Sequence, residues 1–275
     1  MSSILTNNSA MVALATLNNV NRGLNETQNR VSSGLAIRSG KENAAYFAIS
    51  ETMSADSGMF KAVNEGLTST KNSVATARLG AETVSDLAEQ MVERIAFAQG
   101  NGINKADVQS ELEALAGRIQ STIDQATFNG DDLVGAASTS VSVVTGITRS
   151  GGSFATTTIS FDTVNLQSIH DNLAAIDVTD SGSTMEAKLQ AAEAELALAV
   201  TAATSLGVTE KTLEGQQMFL ESLTDTLDSG ISSMVDANME EEAARLQAYQ
   251  VQQQLATQSL SIANQAPQNI LSLFR

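Results

Sequence analysis

The sequence predicts a mainly α protein: long antiparallel helical rods, formed by paired terminal helices plus a three-to-four-helix bundle, with a small β-hairpin-containing insertion. Three observations predict it. Apolar residues recur every three or four positions over long stretches at both ends and on either side of the centre, the spacing of a single helix face. The 275 residues include one Pro, so little interrupts those stretches. Only the centre changes period, to the alternation of a strand.

Near the N-terminus, Leu14, Leu17, Asn21, Leu24, Gln28, Val31 and Leu35 alternate spacings of three and four, a heptad seam whose polar members weaken it as an isolated coiled coil but fix its register. In 58–99, Phe60, Val63, Leu67, Val74, Val84, Leu87, Met91 and Ile95 form a stripe ended by Gly100-Asn101-Gly102. In 105–128, Val108, Leu112, Leu115, Ile119 and Ile123 do the same, with Asn104 placed to cap the helix and Asp107 in its first turn. Asn129-Gly130-Asp131-Asp132 is a turn signal. Ser140-Val141-Ser142-Val143 and Thr158-Ile159-Ser160-Phe161 alternate about Ser150-Gly151-Gly152, which reads as a hairpin in a Ser/Thr-rich tract. The stripe of 184–229 runs from Leu189 to Leu227, and 46 helical residues span about 70 Å at 1.5 Å each. Finally Leu246, Tyr249, Gln253, Ala256, Leu260 and Ala263 form a second seam in an amide-rich segment. Domains are expected at 1–44 with 236–275, at 45–137 with 184–235, and at 138–183.

Charge sorts the same way. Residues 1–21 and 246–274 carry no charged side chain, and the net charge of −16 is held by the middle of the chain. An acidic chain is a poor partner for nucleic acid or an anionic membrane. The absence of Cys excludes disulfides, thiolate metal sites and Cys nucleophiles. With His170 the single His, no His cluster for a metal and no Ser-His-Asp arrangement is available. Glu240-Glu241-Glu242 reads as charge at a helix start rather than a metal site. No catalytic residue, metal or cofactor is expected. No secretory leader is legible, and no stretch has the ~20 continuous apolar residues of a membrane span.

Three motifs carry a family resemblance. The run Val31-Ser32-Ser33-Gly34-Leu35-Ala36-Ile37-Arg38-Ser39-Gly40-Lys41-Glu42-Asn43-Ala44-Ala45 resembles the "LSSGLRINSAxDDAAG" signature of bacterial flagellins. Thr127-Phe128-Asn129-Gly130 is similar to their "xFNG" element. Ser261 to Arg275, which reads SIANQAPQNILSLFR, resembles their "ANQxPQxxLSLLR" ending. The resemblance covers about 1–135 and 185–275. It implies the subunit of the flagellar filament, the helical propeller of swimming bacteria, exported by the flagellar route without a cleaved signal peptide.

The implied partners are further copies of the chain, sibling flagellins, the export apparatus with its chaperone, and the hook-associated junction and cap proteins. Leu14, Leu17, Leu24, Val31, Leu35, Leu246, Tyr249, Leu255, Leu260, Ile270, Leu271 and Phe274 are the expected polymer interface. Ser138, Ser142, Thr145, Ser150, Ser153 and Thr157 are candidate O-glycan acceptors, as in related filaments. Met91-Val92-Glu93-Arg94-Ile95-Ala96 is similar to the family's "RVRELA" segment, which a vertebrate receptor reads, but Met91 replaces the first Arg and the following charges are inverted, which implies weak activation. Competing readings are a hook–filament junction protein and a soluble helical adhesin or secretion-tip binding module.

Overall fold

A computed structural model describes residues 7–135, 139–150 and 153–273, and side chains over the same residues except 150, 153–154 and 266–273. The chain order is α1 (Asn8–Ser33), α2 (Ala44–Phe97), α3 (Lys105–Gln125), β1 (Ser140–Ser150), β2 (Ser153–Asp162), α4 (Leu166–Ala174), α5 (Met185–Val235) and α6 (Met239–Leu273). The fold is mainly α with a two-stranded antiparallel hairpin, as the periodicities predict. It groups into two compact units, residues 1–56 with 226–275 and residues 57–225.

In the unit 57–225, α2 and α5 run antiparallel: Gln217 donates to Thr68 Oγ1 at 2.7 Å, and Arg78 Nε meets Glu210 at 2.7 Å. Their facing stripes are rich in small residues. Ala77, Ala81 and Ala88 of α2 and Ala192 and Ala199 of α5 are fully buried, which lets the helices approach closely. Leu67, Met91, Ile95, Leu206, Leu213 and Leu220 fill the space between, and Leu112 and Ile119 bring α3 onto the same core. Asn104 caps α3 as expected, its side chain accepting from the Ala106 N–H at 3.2 Å. One 18-residue window of α5 reaches a mean hydropathy of 1.3, long and apolar enough by composition to cross a membrane. Much of that hydropathy comes from alanine, and Ala192, Ala199 and Leu206 face the core of this bundle.

The hairpin pairs Val141 with Phe161 and Val143 with Ile159, placing these apolar side chains on one face. A bulge at Thr145 shifts the register, and the Gln216 amide of α5 donates to Thr145 O at 2.8 Å. Beyond β2 the structure forms α4, a helix that the sequence pattern does not single out. Its signal is confined to Leu166, Ile169 and Leu173, three buried positions on a nine-residue helix, too few to establish a period. Asn165 caps it by accepting from the Ser168 N–H. The observed α2 also begins 14 residues before the apolar stripe at 58, with Asn43 accepting from the Ala45 and Tyr46 N–H groups at its start.

Candidate functional site

The unit formed by 1–56 and 226–275 is built on α1 and α6, packed antiparallel. Asn7 of the α1 N-cap donates to Ala263 O at 2.7 Å, Tyr249 lies over Gly23, and Arg30 meets Glu242 at 3.3 Å. A Cβ on Gly23 would lie 2.6 Å from Tyr249 Cζ, so the absence of a side chain there makes the seat for the ring. Past the end of α1, Gly34 adopts φ +75° and donates to Arg30 O at 2.8 Å. The chain then pairs with the entry to α6: the Ala36 N–H donates to Val235 O, and the Ala237 N–H to Gly34 O. The motif read as a family signature is therefore a helix stop followed by a cross-connection.

The α6 seam is the one the spacing predicts. Leu246, Tyr249, Gln253, Leu260 and Ala263 are half-buried and Ala256 is buried, along the side facing α1. On α1 the seam differs by one row: it runs through Ala10, Ala13, Leu17, Val20, Leu24, Thr27 and Val31, with Val20 and Thr27 buried. Both rows share Leu17, Leu24 and Val31. The heptad spacing selects Leu14 and Leu35, whereas the structure turns the row with the small Ala13 and Thr27 toward α6, which admits the closer helix. Asn21 remains half-buried at the edge, where Gln253 donates to its Oδ1 at 2.7 Å. Leu35 falls after the helix stop, half-buried and bridged through its backbone to Asp236.

Leu35 apart, the expected interface residues fall into three classes. Leu17, Leu24, Val31, Leu246, Tyr249 and Leu260 line the seam within this chain. Leu14 and Leu255 point to solvent, 48% and 57% exposed. Ile270 and Leu271 lie on α6 beyond the described side chains, and Phe274 lies outside the described residues.

What the spacing did not single out is the flank next to the seam. Val251, Leu255 and Ile262 fall four and seven residues apart, on one stripe of α6, and are 55%, 57% and 62% exposed. Val12 of α1, 64% exposed, lies on the same side, and between the helices runs a groove of about 480 Å³ floored by Ser9, Ala13, Thr16 and Ser259. The opposite flank carries exposed amides, Asn18, Asn25 and Gln28 of α1 with Gln250 and Gln254 of α6, beside the exposed Met11 and Leu14. The pair thus has an apolar side and a mixed, amide-rich side, neither of them charged over residues 8–21 and 246–265.

Charge is confined to the other end of the pair. Glu242 is buried between Arg30 at 3.3 Å and Arg245 at 3.4 Å, while Glu26 pairs Arg30 and Glu241 pairs Arg245 on the surface. Just before α2, the Arg38 N–H donates to Glu42 at 2.6 Å, and this hydrogen bond holds the Glu42 carboxyl below its ordinary pKa, with the Arg38 guanidinium adding to it.

Among the described residues of the larger unit nothing resembles a reactive centre. His170 sits on α4, mostly buried, its Nδ1 2.9 Å from Asp171 and 3.3 Å from Gln167. The bond to His170, helped by Gln167, lowers the Asp171 pKa. Among the described residues no group of three or more His, Cys, Asp or Glu could hold a metal ion. A surface groove beside Arg78 is filled with an ion-pair network, in which Glu210 and Glu82 raise the Arg78 pKa. Of the candidate glycan acceptors, Ser142 and Thr157 are exposed. Thr145 is buried with its hydroxyl donated to Thr157 O at 3.3 Å, which removes it from the accessible set. Ser138 lies outside the described residues, as do the side chains of Ser150 and Ser153. In the segment 91–96, Met91 and Ile95 are core residues, and Arg94 lies 3.3 Å from Glu111.

A paired-helix arm with an uncharged, exposed apolar flank is a surface suited to contact with other protein. Comparison with known proteins supplies the class. The model of the bacterial flagellin N-terminal helical region matches residues 4–139, and that of the C-terminal helical region matches residues 189–274. A flagellin of Brucella melitensis biotype 1 is 35% identical over the whole of both chains, and flagellin FljM of Caulobacter vibrioides is 32% identical over all of this chain and 99% of its own. A solved structure assigned as a flagellar hook-associated protein of Vibrio parahaemolyticus shares the fold, with a TM-score of 0.55 at 13% identity over 71% of this chain and 100% of that one. The chain belongs to the bacterial flagellin family, and it is a non-catalytic structural subunit.

Proposed function

We propose that this chain polymerises into the filament of a bacterial flagellum, and that the terminal helix pair forms the contact between copies. The observation that carries the reading is the apolar flank of Val12, Val251, Leu255 and Ile262. It is uncharged and exposed in the single chain, in a protein that otherwise carries a net charge of −16. A large exposed apolar surface is covered by a partner or it aggregates, and a contact joining two different faces of identical copies builds an open helical array. Residues 1–44 with 236–275 then act as the polymer core, 45–137 with 184–235 as a helical rod, and 138–183 as a surface insertion bearing Ser142 and Thr157 as sugar acceptors. Intact mass of native filaments tests the sugar: a mass equal to the bare sequence removes it.

The protein reaches its place outside the cell through the flagellar export apparatus, escorted by a chaperone that shields the apolar ends. It meets the junction and cap proteins at either end of the filament, with siblings sharing the array. The fold shared with a hook-associated protein favours one second reading, a junction subunit present in few copies. Purified protein added to short filament seeds decides between them. Elongation seen by electron microscopy supports the filament subunit, and a few copies bound at seed ends without growth supports the junction subunit.

A further inference from the structure

The chain holds two Asn-Gly pairs, Asn101-Gly102 and Asn129-Gly130, and the fold treats them differently. In such a pair the backbone nitrogen of the glycine can attack the preceding carboxamide, because glycine puts no side chain in its way. Both asparagines are exposed. Asn129 occupies a hairpin turn at φ +52° with Gly130 at +89°, clamped by the Asp131 N–H donating to Phe128 O at 2.9 Å and the Phe128 N–H donating to Asp131 O at 3.1 Å. Ring closure there must rotate the Asn129 Cα–C bond to bring the Gly130 nitrogen onto Asn129 Cγ, and so break both.

Asn101 sits in a turn of the loop between α2 and α3, where Gly102 takes φ +86° much as Gly130 does, so what separates the two sites is the pair of backbone hydrogen bonds at 128–131. The last hydrogen bond before it is Gly100 N–H to Phe97 O at 3.0 Å, and the next is the Asn104 cap. Among the described hydrogen bonds none spans Asn101-Gly102, and none holds the Asn101 side chain or the Gly102 N–H.

We infer that Asn101 is a site of spontaneous deamidation in the folded protein, and that Asn129 is protected by its turn. Hydroxide removes the Gly102 amide proton and the nitrogen attacks Asn101 Cγ. The N–Cγ bond forms, the Cγ–Nδ2 bond breaks, and Nδ2 takes up a proton from water and leaves as ammonia. Water then opens the cyclic imide at either carbonyl, leaving aspartate, or isoaspartate with the main chain rerouted through Cγ. Either product places a new negative charge in the loop that leads into α3, beside a groove that Asn101 and Lys105 both line. The modified fraction records the age of the molecule.

The full-length protein, incubated at mildly alkaline pH and mapped by proteolysis, mass spectrometry and enzymatic methylation of isoaspartate, tests this. Modification is expected at 101, with 129 slower by roughly tenfold or more, the factor that two hydrogen bonds of ordinary net strength supply. In denaturant the two sites should react within a small factor of one another. Gly102→Ser should slow the reaction at 101 and leave 129 unchanged. Equal rates at both sites in the folded chain, no modification at 101, or an undiminished rate in Gly102→Ser would each overturn the inference.

Discussion

Two exposed-or-buried glycines in helices show how a single methyl group separates packing from propensity. Gly80 of α2 is buried against the end of α3, and a Cβ there would lie 2.5 Å from Ala126 Cβ. Gly215 of α5 is exposed, and nothing lies within 4 Å of an added Cβ. Gly80→Ala should lower stability by about 1–3 kcal/mol through overpacking, set against a helix gain of at most about 1 kcal/mol. Gly215→Ala should instead raise it by up to about 1 kcal/mol. Chemical denaturation of the two variants should move the midpoint in opposite directions; movement in the same direction would contradict the packing at Gly80.

Glu42 is the other decisive residue, because it closes the segment that follows the Gly34 stop. Its pKa is lowered on folding from 4.5, so its contribution is present at neutral pH and fades as pH falls through the folded value. Glu42→Gln should therefore speed exchange of the Arg38 amide at neutral pH, with wild type and variant converging in acid. A gap that persists in acid would mean the carboxylate charge is not what holds the segment.

At the level of elements, the long helices were legible because their stripes repeat over many turns, whereas α4 was not, having three apolar positions to declare itself. The termini teach a subtler lesson. Periodicity located the α6 seam, but on α1 the heptad through Leu14 and Leu35 shares Leu17, Leu24 and Val31 with the row through Ala13 and Val20, and the structure faces the second row to α6. Heptad spacing also cannot tell the seam inside a chain from the face left for another copy. Leu24 and Leu260 are seam residues here, and Leu255 is on the free flank. Leu24→Asp or Leu260→Asp should loosen the helix pair itself, by about 1–3 kcal/mol for a polar group placed against apolar contacts. Leu255→Asp should leave the monomer within about 0.5 kcal/mol of wild type, as an exposed substitution does, and still abolish elongation on seeds. Circular dichroism melts paired with seeded growth separate the two outcomes, and normal filaments from Leu255→Asp would remove the flank from the interface.

The whole molecule distributes its core unevenly, and that asymmetry governs how a free subunit unfolds. Of the apolar residues buried among those described, only Val20, Val235 and Ala256 belong to the unit 1–56 with 226–275; the others form the core of 57–225. Burying a Val is worth about 1.5–3 kcal/mol and an Ala less, while ordering each backbone residue costs about 1–2 kcal/mol. The helix pair therefore depends on its half-buried seam and a few ion pairs, of which the exposed ones contribute at most about 1 kcal/mol each. A subunit in solution should melt in two steps, the terminal unit first, rather than in one cooperative transition. Limited proteolysis should trim the free chain toward a stable fragment near 57–225, with cuts inside α2 and α5 where they pass from one unit to the other. Assembly should abolish both signs, because contacts made by the apolar flank stabilise the folded pair by mass action. Calorimetry that shows a single transition in the free chain, together with ends that resist protease there as well as they do in the filament, would mean that the terminal helices need no second copy to hold them.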